Sequence, residues 1–374
     1  MRFLKQKNMK IAILTFFESE NYGTVLQAYA TQKYLESLGY SVELLHIKRA
    51  VSGGSSHYVQ KASKPMFVEK IRYKITSILQ EKNIRKKSEE FQAFRDEYLR
   101  VSTFYASEEA LKKELGEYDL FVSGGDQIWN PYHKVFSLHY MFDFLPDNKP
   151  RISYGSSFGV ARIEEETILA DMQAQLRKYR AIAVREESGV NLIEKMGLQA
   201  TQVVDPVFLV KEEWNNFVGK SPKKRKYCLV YALIGYPQEE MRKIRAFAKK
   251  RKLDVVILPY NRKNCLNGFE KAFGLSPKEF LNYIANAEHV FTNSFHGLAF
   301  SLLFEKQFTL LGCDSAEGDA KRVRLIEMLQ QLGVEDQGFE MREKVNYQKT
   351  KQILECRIQD SKKYITDAIE NREE

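Results

Sequence analysis

Four short segments of the 374-residue chain set polar groups, small residues and one basic or aromatic side chain where they could hold an anion and act on a hydroxyl. In Asn21-Tyr22-Gly23-Thr24, a glycine lets the backbone approach a ligand, and a following helix would turn its free N–H groups and dipole toward an anion. A plain helix cap by Asn21 or Thr24 is the alternative reading. Gly124-Gly125-Asp126-Gln127-Ile128-Trp129-Asn130 combines hydrogen-bonding groups with one aromatic plate. Trp129 could stack on a sugar face and Asp126 could act on a hydroxyl, or the segment is a turn with a satisfied Asp and a core Trp. Arg185 ends a strand-like run, where its planar fork could take a carboxylate or phosphate through two hydrogen bonds. Its plainer role is an ion pair with Glu186 or Glu187. In Ser294-Phe295-His296-Gly297, a histidine opens an apolar helix behind a capping serine, a good seat for phosphate.

Each segment needs a strand to deliver it and a helix to follow it. Lys10–Phe17 reads as a buried parallel strand, Thr24–Leu38 as a helix stopping at Gly39, and Ser41–Ile47 as a second strand. Residues 49–66 read as a loop and 70–100 as a basic helix. Tyr118–Ser123, Arg151–Ser157, Ala181–Val184 and Gln202–Val204 complete the strands of this half. A boundary is expected over 206–226, where Pro206 and the charged stretch Ser221–Lys226 interrupt the pattern. The alternation then restarts, with strands at Tyr227–Ile234, Val255–Leu258, His289–Thr292 and Phe308–Leu311. Helices are expected at Gln238–Lys250, Pro277–Ala285, Phe295–Phe304 and Tyr347–Glu370. This grammar predicts a doubly wound α/β fold in which strand ends present the ligand-binding residues.

The net charge of +9 favours anionic partners without choosing among phosphorylated metabolites, nucleic acid and acidic lipid. Cys228, Cys265, Cys313 and Cys356 lie far apart and lack a metal-ligand spacing, so neither a disulfide framework nor a metal is expected. The basic N-terminus precedes too short an apolar run for a signal peptide, and no stretch reaches membrane-spanning length. A cytoplasmic protein is expected. The basic runs Lys82–Lys87 and Lys223–Lys226 read as solvated faces or as peripheral contacts with the inner face of an anionic membrane. They come with no nucleic-acid motif.

Taken in order, Asn21-Tyr-Gly-Thr24, Gly124-Gly-Asp-Gln-Ile-Trp-Asn130, Arg185-Glu186 and Ser294-Phe-His-Gly-Leu-Ala-Phe-Ser301 resemble the polysaccharide pyruvyl transferase family. The resemblance runs from about Lys10 to Gly333, and its Ser-Phe-His-Gly segment is the most specific. It implies two Rossmann-like domains facing across a cleft, similar to the two-domain (GT-B-like) glycosyltransferase architecture. It also implies phosphoenolpyruvate as co-substrate, no further cofactor, and a saccharide acceptor on its way to the cell envelope, lipid- or nucleotide-linked. The donor would fall to Arg185, Phe295 and His296 with Ser294, Gly297 and Arg324. Asn21, Tyr22, Gly23, Gly124, Gly125, Gln127, Trp129 and Asn130 would line the acceptor side. His296 would bind phosphate and move a proton, and Asp126 would activate the acceptor hydroxyl. This chain departs from the pattern at Gly125, where many relatives carry Ser, and at Glu186, where Asp is common. In Arg322-Val323-Arg324 only the last residue matches.

The expected domains are 1–210, carrying the basic insertion 49–100, then 221–345, then a helix over 346–374 packing back on the first. Two other readings fit the sequence: a nucleotide-sugar-dependent glycosyltransferase of the same architecture, and a non-catalytic protein that binds anionic surfaces.

Overall fold

A computed structural model describes residues 9–47, 67–133, 135–233, 238–259, 269–312, 316–336, 338–340 and 344–370. In chain order they form β1 (Lys10–Leu14), α1 (Tyr22–Ser37), β2 (Ser41–Ile47), α2 (Phe67–Tyr98), β3 (Val101–Tyr105) and α3 (Glu108–Glu114). β4 (Leu120–Gly124), β5 (Arg151–Tyr154), α4 (Glu166–Leu176), β6 (Ala183–Val184), α5 (Glu187–Lys195), β7 (Thr201–Gln202) and α6 (Pro206–Leu209) follow. The remainder is β8 (Tyr227–Tyr231), α7 (Gln238–Arg251), β9 (Asp254–Leu258), β10 (Glu270–Lys271), α8 (Pro277–Ala285), β11 (His289–Thr292) and α9 (Phe295–Leu303). It ends with β12 (Gln307–Leu310), α10 (Ala316–Gln331) and α11 (Tyr347–Glu370).

These elements divide into two compact units. Unit 1 takes the described residues within Met1–Gln60, Asp96–Val210 and Leu354–Glu374; unit 2 takes those within Lys61–Arg95 and Lys211–Ile353. Each unit is built on a parallel five-stranded sheet, ordered β3-β2-β1-β4-β5 in unit 1 and β10-β9-β8-β11-β12 in unit 2. The order steps outward from a central strand in one direction and then in the other. That leaves a switch point beside β1 in unit 1 and beside β8 in unit 2, where open α/β sheets bind ligands. The central strands show why. Ile11 to Leu14 and Tyr227 to Tyr231 are buried throughout, as strands covered by helices on both faces must be.

One expectation changes. The insertion 49–100 was assigned whole to the first domain, but α2 counts with unit 2 as far as Arg95. Its packing explains this. Phe94 meets Phe217 with ring centroids 6.1 Å apart, and a Cβ added at Gly274 would touch Lys86 and the Asn83 carbonyl. The stretch 49–66 lies outside the described residues. The last helix, α11, divides at Leu354, and its second part belongs to unit 1. There Ser361 accepts a hydrogen bond from the Val204 amide at 3.0 Å, and Tyr364 donates to the Ser153 carbonyl at 3.0 Å. Two strands not anticipated from sequence, β3 and β10, are edge strands of the two sheets.

Candidate functional site

In unit 1, the carboxyl ends of β1, β4, β5 and β6 bring together three of the four sequence segments. Asn21 caps α1 and accepts from the amides of Gly23 (3.0 Å) and Thr24 (3.5 Å), so the cap takes the N–H groups that an anion would otherwise meet. Tyr22 and Gly23 are buried behind it. The switch point is bridged by Thr24, whose hydroxyl donates to Asp126 Oδ2 at 2.6 Å. Asp126 Oδ1 accepts from the Gln127 amide at 2.8 Å, which leaves the half-buried carboxylate fixed in place.

Two glycines make this close approach feasible. A Cβ on Gly124 would lie 1.9 Å from the Tyr154 carbonyl of β5, so any side chain would break the strand pairing. Gly125 has φ +100°, and a Cβ there would meet Gln27 Oε1 at 1.6 Å. Gln27 cannot easily move, because its amide donates to Thr15 Oγ1, Phe16 O and Thr24 O at 2.9–3.0 Å. In this chain, position 125 therefore has no room for a side chain.

Trp129 requires a correction. It has no exposed surface, donates from Nε1 to the Tyr140 carbonyl at 3.1 Å, and packs against Phe158 and Tyr179. It is a core residue and offers no face to a sugar. Asn130 and Gln127 brace the loop instead: Asn130 Nδ2 donates to Gln127 Oε1 at 3.0 Å and its Oδ1 accepts from the Tyr132 amide at 3.0 Å.

Arg185 is 6% exposed and donates from Nη1 to Asp205 at 2.7 Å, with Glu186 3.8 Å from its Nε. The ion pair with Glu186 considered from sequence is present, and Asp205 is the stronger partner. Burial works against the charge, but Asp205, then Glu186, then Asp126 outweigh it, raising the guanidinium pKa above its ordinary value. Glu186 is held in turn. One of its oxygens accepts from Ser157 Oγ (2.8 Å) and from the amides of Phe158 (2.9 Å) and Gly159 (3.1 Å). Asp205 was missed from sequence, although Asp-Pro after a strand, capping α6, is a readable signal.

Unit 2 repeats the arrangement with different chemistry. At its switch point Asn293 accepts from the Leu233 amide at 2.9 Å, and Thr292 donates to the Tyr231 carbonyl at 2.7 Å. Ser294 caps α9, accepting from the Gly297 amide at 3.2 Å. His296 therefore sits in the first turn of α9, 7% exposed, with the ring of the half-buried Phe295 5.3 Å away. Arg324, also 7% exposed, lies on α10, which packs on α9. Arg185 and Asp126 thus belong to unit 1, and His296 and Arg324 to unit 2.

The basic run Lys223–Lys226 is largely compensated: Lys223 pairs with Glu270, Arg225 with Asp254 at 3.3 Å and Lys226 with Glu288 at 3.0 Å. In the run Lys82–Lys87, Lys82, Arg85 and Lys86 are exposed and Arg85 pairs with Glu89. Among the described residues no His, Cys, Asp and Glu group could hold a metal ion, and no helix is long and apolar enough to cross a membrane. Cys228 is buried and Cys356 exposed, both as free thiols; Cys265 and Cys313 lie outside the described residues.

A family model described as polysaccharide pyruvyl transferase matches residues 21–315, a span that holds all four segments. No curated protein matches the chain. Among solved structures, the chain is similar to S. aureus MnaA in its UDP co-structure (TM-score 0.52, 12% identity, covering 96% of this chain and 91% of that one). It is also similar to UDP-N-acetylglucosamine 2-epimerase from Rickettsia bellii (0.51, 10%, 97% of each). A third similar structure is Arabidopsis thaliana UGT89C1 complexed with UDP (0.50, 9%, 97% and 99%). At such identities the likeness bears on the fold alone: α/β, two Rossmann-like units, GT-B-like.

Proposed function

The chain belongs to the polysaccharide pyruvyl transferase family, and on that premise we propose that it moves a pyruvyl group from phosphoenolpyruvate to two hydroxyls of a saccharide, releasing phosphate. The observation that carries this reading is His296. It is buried in the first turn of a capped helix, directly past the carboxyl end of the inner strand β11, in a unit where Arg324 is buried on the neighbouring helix. A helix N-terminus with an imidazole suits a phosphate monoester, which needs hydrogen-bond donors and positive potential in a small space.

In the proposed reaction the acceptor hydroxyl adds to C2 of phosphoenolpyruvate while C3 takes a proton. A second hydroxyl of the same sugar then displaces phosphate from C2. One hydroxyl proton is balanced by the new methyl group and the other by the departing phosphate. His296 holds the phosphate and moves a proton, with Ser294, Phe295, Gly297 and Arg324 shaping its surroundings. Within unit 1, Asp205 and Glu186 orient the buried Arg185 guanidinium. Asp126, anchored by Thr24, is assigned to the acceptor hydroxyl. The acceptor we propose is a lipid- or nucleotide-linked envelope precursor, met at the inner face of an anionic membrane to which the exposed Lys82, Arg85 and Lys86 are attracted.

Titration calorimetry with phosphoenolpyruvate, followed by phosphate release against nucleotide- and lipid-linked saccharides, tests the proposal. Saturable donor binding and acceptor-dependent phosphate release are expected. A protein that ignores phosphoenolpyruvate but hydrolyses or transfers from a nucleotide sugar would replace this reading with the glycosyltransferase one.

A further inference from the structure

At the same carboxyl edge of the unit 1 sheet, on the β2–β3 side of the switch point, stands a group of side chains that the donor chemistry does not use. Phe104 is 54% exposed, ahead of the other exposed large hydrophobic residues, Leu38, Ile84, Tyr132, Val323 and Ile326. A single exposed phenylalanine is unremarkable. This one, however, is paired in register with His46, and their ring centroids lie 4.7 Å apart. His46 also leans edge-on against the buried Phe17 at 5.7 Å, and its Nε2 lies 2.9 Å from Glu18 Oε1. A carboxylate accepts, so the His46 ring donates from Nε2 to Glu18.

The strand is built to present this group. The pairing of β2 with β3 shifts between Leu44 and His46, so that Val101 faces Leu44 but Phe104 faces His46. That extra residue is a bulge in an edge strand, a device that re-aims a side chain near a binding site. The His46 amide closes the irregularity by donating to Ser102 Oγ at 3.0 Å. Glu18, in the loop leaving β1, stands three residues before Asn21, the cap of the helix that carries Thr24 to Asp126.

A pyranose offers a patch of C–H groups that packs on an aromatic face and a rim of hydroxyls that needs directional donors and acceptors. The phenyl ring of Phe104 beside an oriented imidazole and a carboxylate matches both. We infer that Phe104, His46 and Glu18 form a saccharide-recognition subsite of unit 1, with Phe104 as the platform and the His46–Glu18 pair reading hydroxyls. This rests on the proposed saccharide acceptor and names residues that would select it.

The test needs no donor, so it stands or falls separately from pyruvyl transfer. Saturation-transfer NMR on the full chain would use three probes: methyl β-D-galactopyranoside, methyl β-D-glucopyranoside and methyl 2-acetamido-2-deoxy-β-D-mannopyranoside. At least one should bind saturably. Phe104→Ala should weaken it about tenfold or more, equivalent to ~1.4 kcal/mol. Phe104→Trp should retain it, and His46→Ala should weaken it with an unchanged melting temperature. Leu38→Ala, at another exposed position of unit 1, should leave it alone. Phosphoenolpyruvate affinity, measured in parallel, should be the same in all variants. No saturable glycoside, or one that binds Phe104→Ala as tightly as the unaltered protein, overturns the subsite whatever phosphoenolpyruvate does.

Discussion

At the switch point of unit 1 a hydroxyl-to-carboxylate bond, Thr24 to Asp126, ties helix to strand end, and a buried guanidinium lies among Asp205, Glu186 and Asp126. At the equivalent point of unit 2 the described bonds run among neutral groups, Thr292, Asn293, Ser294 and the Gly297 amide, beside His296. The two sheets share one strand order, so topology does not account for the difference. Unit 1 balances its charges internally and presents a rigid, polar strand end. Unit 2 presents a capped helix start and an imidazole, which suits a ligand that brings its own negative charge.

Removing charge balance from unit 1 should have the largest effect. Asp205→Ala leaves Arg185 buried without its 2.7 Å partner, and breaking a buried pair in this way costs about 3–5 kcal/mol. Asn293→Ala in unit 2 removes a neutral hydrogen bond and should cost about 1 kcal/mol. Urea denaturation of both variants checks the contrast, and equal losses would erase it.

The glycines sharpen it at the level of packing. Gly124→Ala in unit 1 drives a methyl into the Tyr154 carbonyl of a paired strand, which cannot retreat, and should cost about 1–3 kcal/mol. Gly297→Ala in unit 2 meets the Thr292 hydroxyl at 2.4 Å, a side chain that can turn at the expense of its hydrogen bonds with the Tyr231 carbonyl and the Ser294 amide. Its melting temperature should fall less than that of Gly124→Ala.

How much of this was legible in the sequence follows from how local each feature is. β1 and β8 could be read because a strand buried on both faces is a nearly unbroken apolar run. The start of α9 could be read because its serine cap lies three residues before the amide it binds. Val101–Tyr105 was not identified as a strand, since a short edge strand with two exposed residues carries little apolar signal, although its β-branched and aromatic content was available. The misreadings at the site are non-local. Trp129 looked like a stacking plate because its hydrogen-bond partner, the Tyr140 carbonyl, lies across a loop. For Arg185 only Glu186 and Glu187 were considered as partners, because Asp205, its closer one, is twenty residues away.

A pH-dependent effect belongs to unit 2. His289 is 2% exposed, donates to or accepts from Thr309 at 3.0 Å, and is pushed down by burial, with Arg251 adding to the effect, from 6.5 to about 3. The unfolded chain therefore takes up this proton first as pH falls. Stability from this group is complete above about 6.5 and is lost toward about 3, with a slope of up to ~1.4 kcal/mol per pH unit. Denaturation of His289→Leu across that window should show a shallower pH dependence than the parent chain. An identical dependence would remove His289 as its source.

The account depends most on His296, and His296→Asn tests it most directly. Donor affinity, acceptor-dependent phosphate release and melting temperature should be measured on one preparation. The predicted result is a folded protein whose melting temperature is essentially unchanged and whose turnover falls by about 10²–10⁴-fold. Phosphoenolpyruvate should bind it only moderately more weakly, because asparagine still offers one donor. A variant that melts normally and releases phosphate at the full rate would contradict the assignment of His296 and, with it, the reading of unit 2 as the donor side.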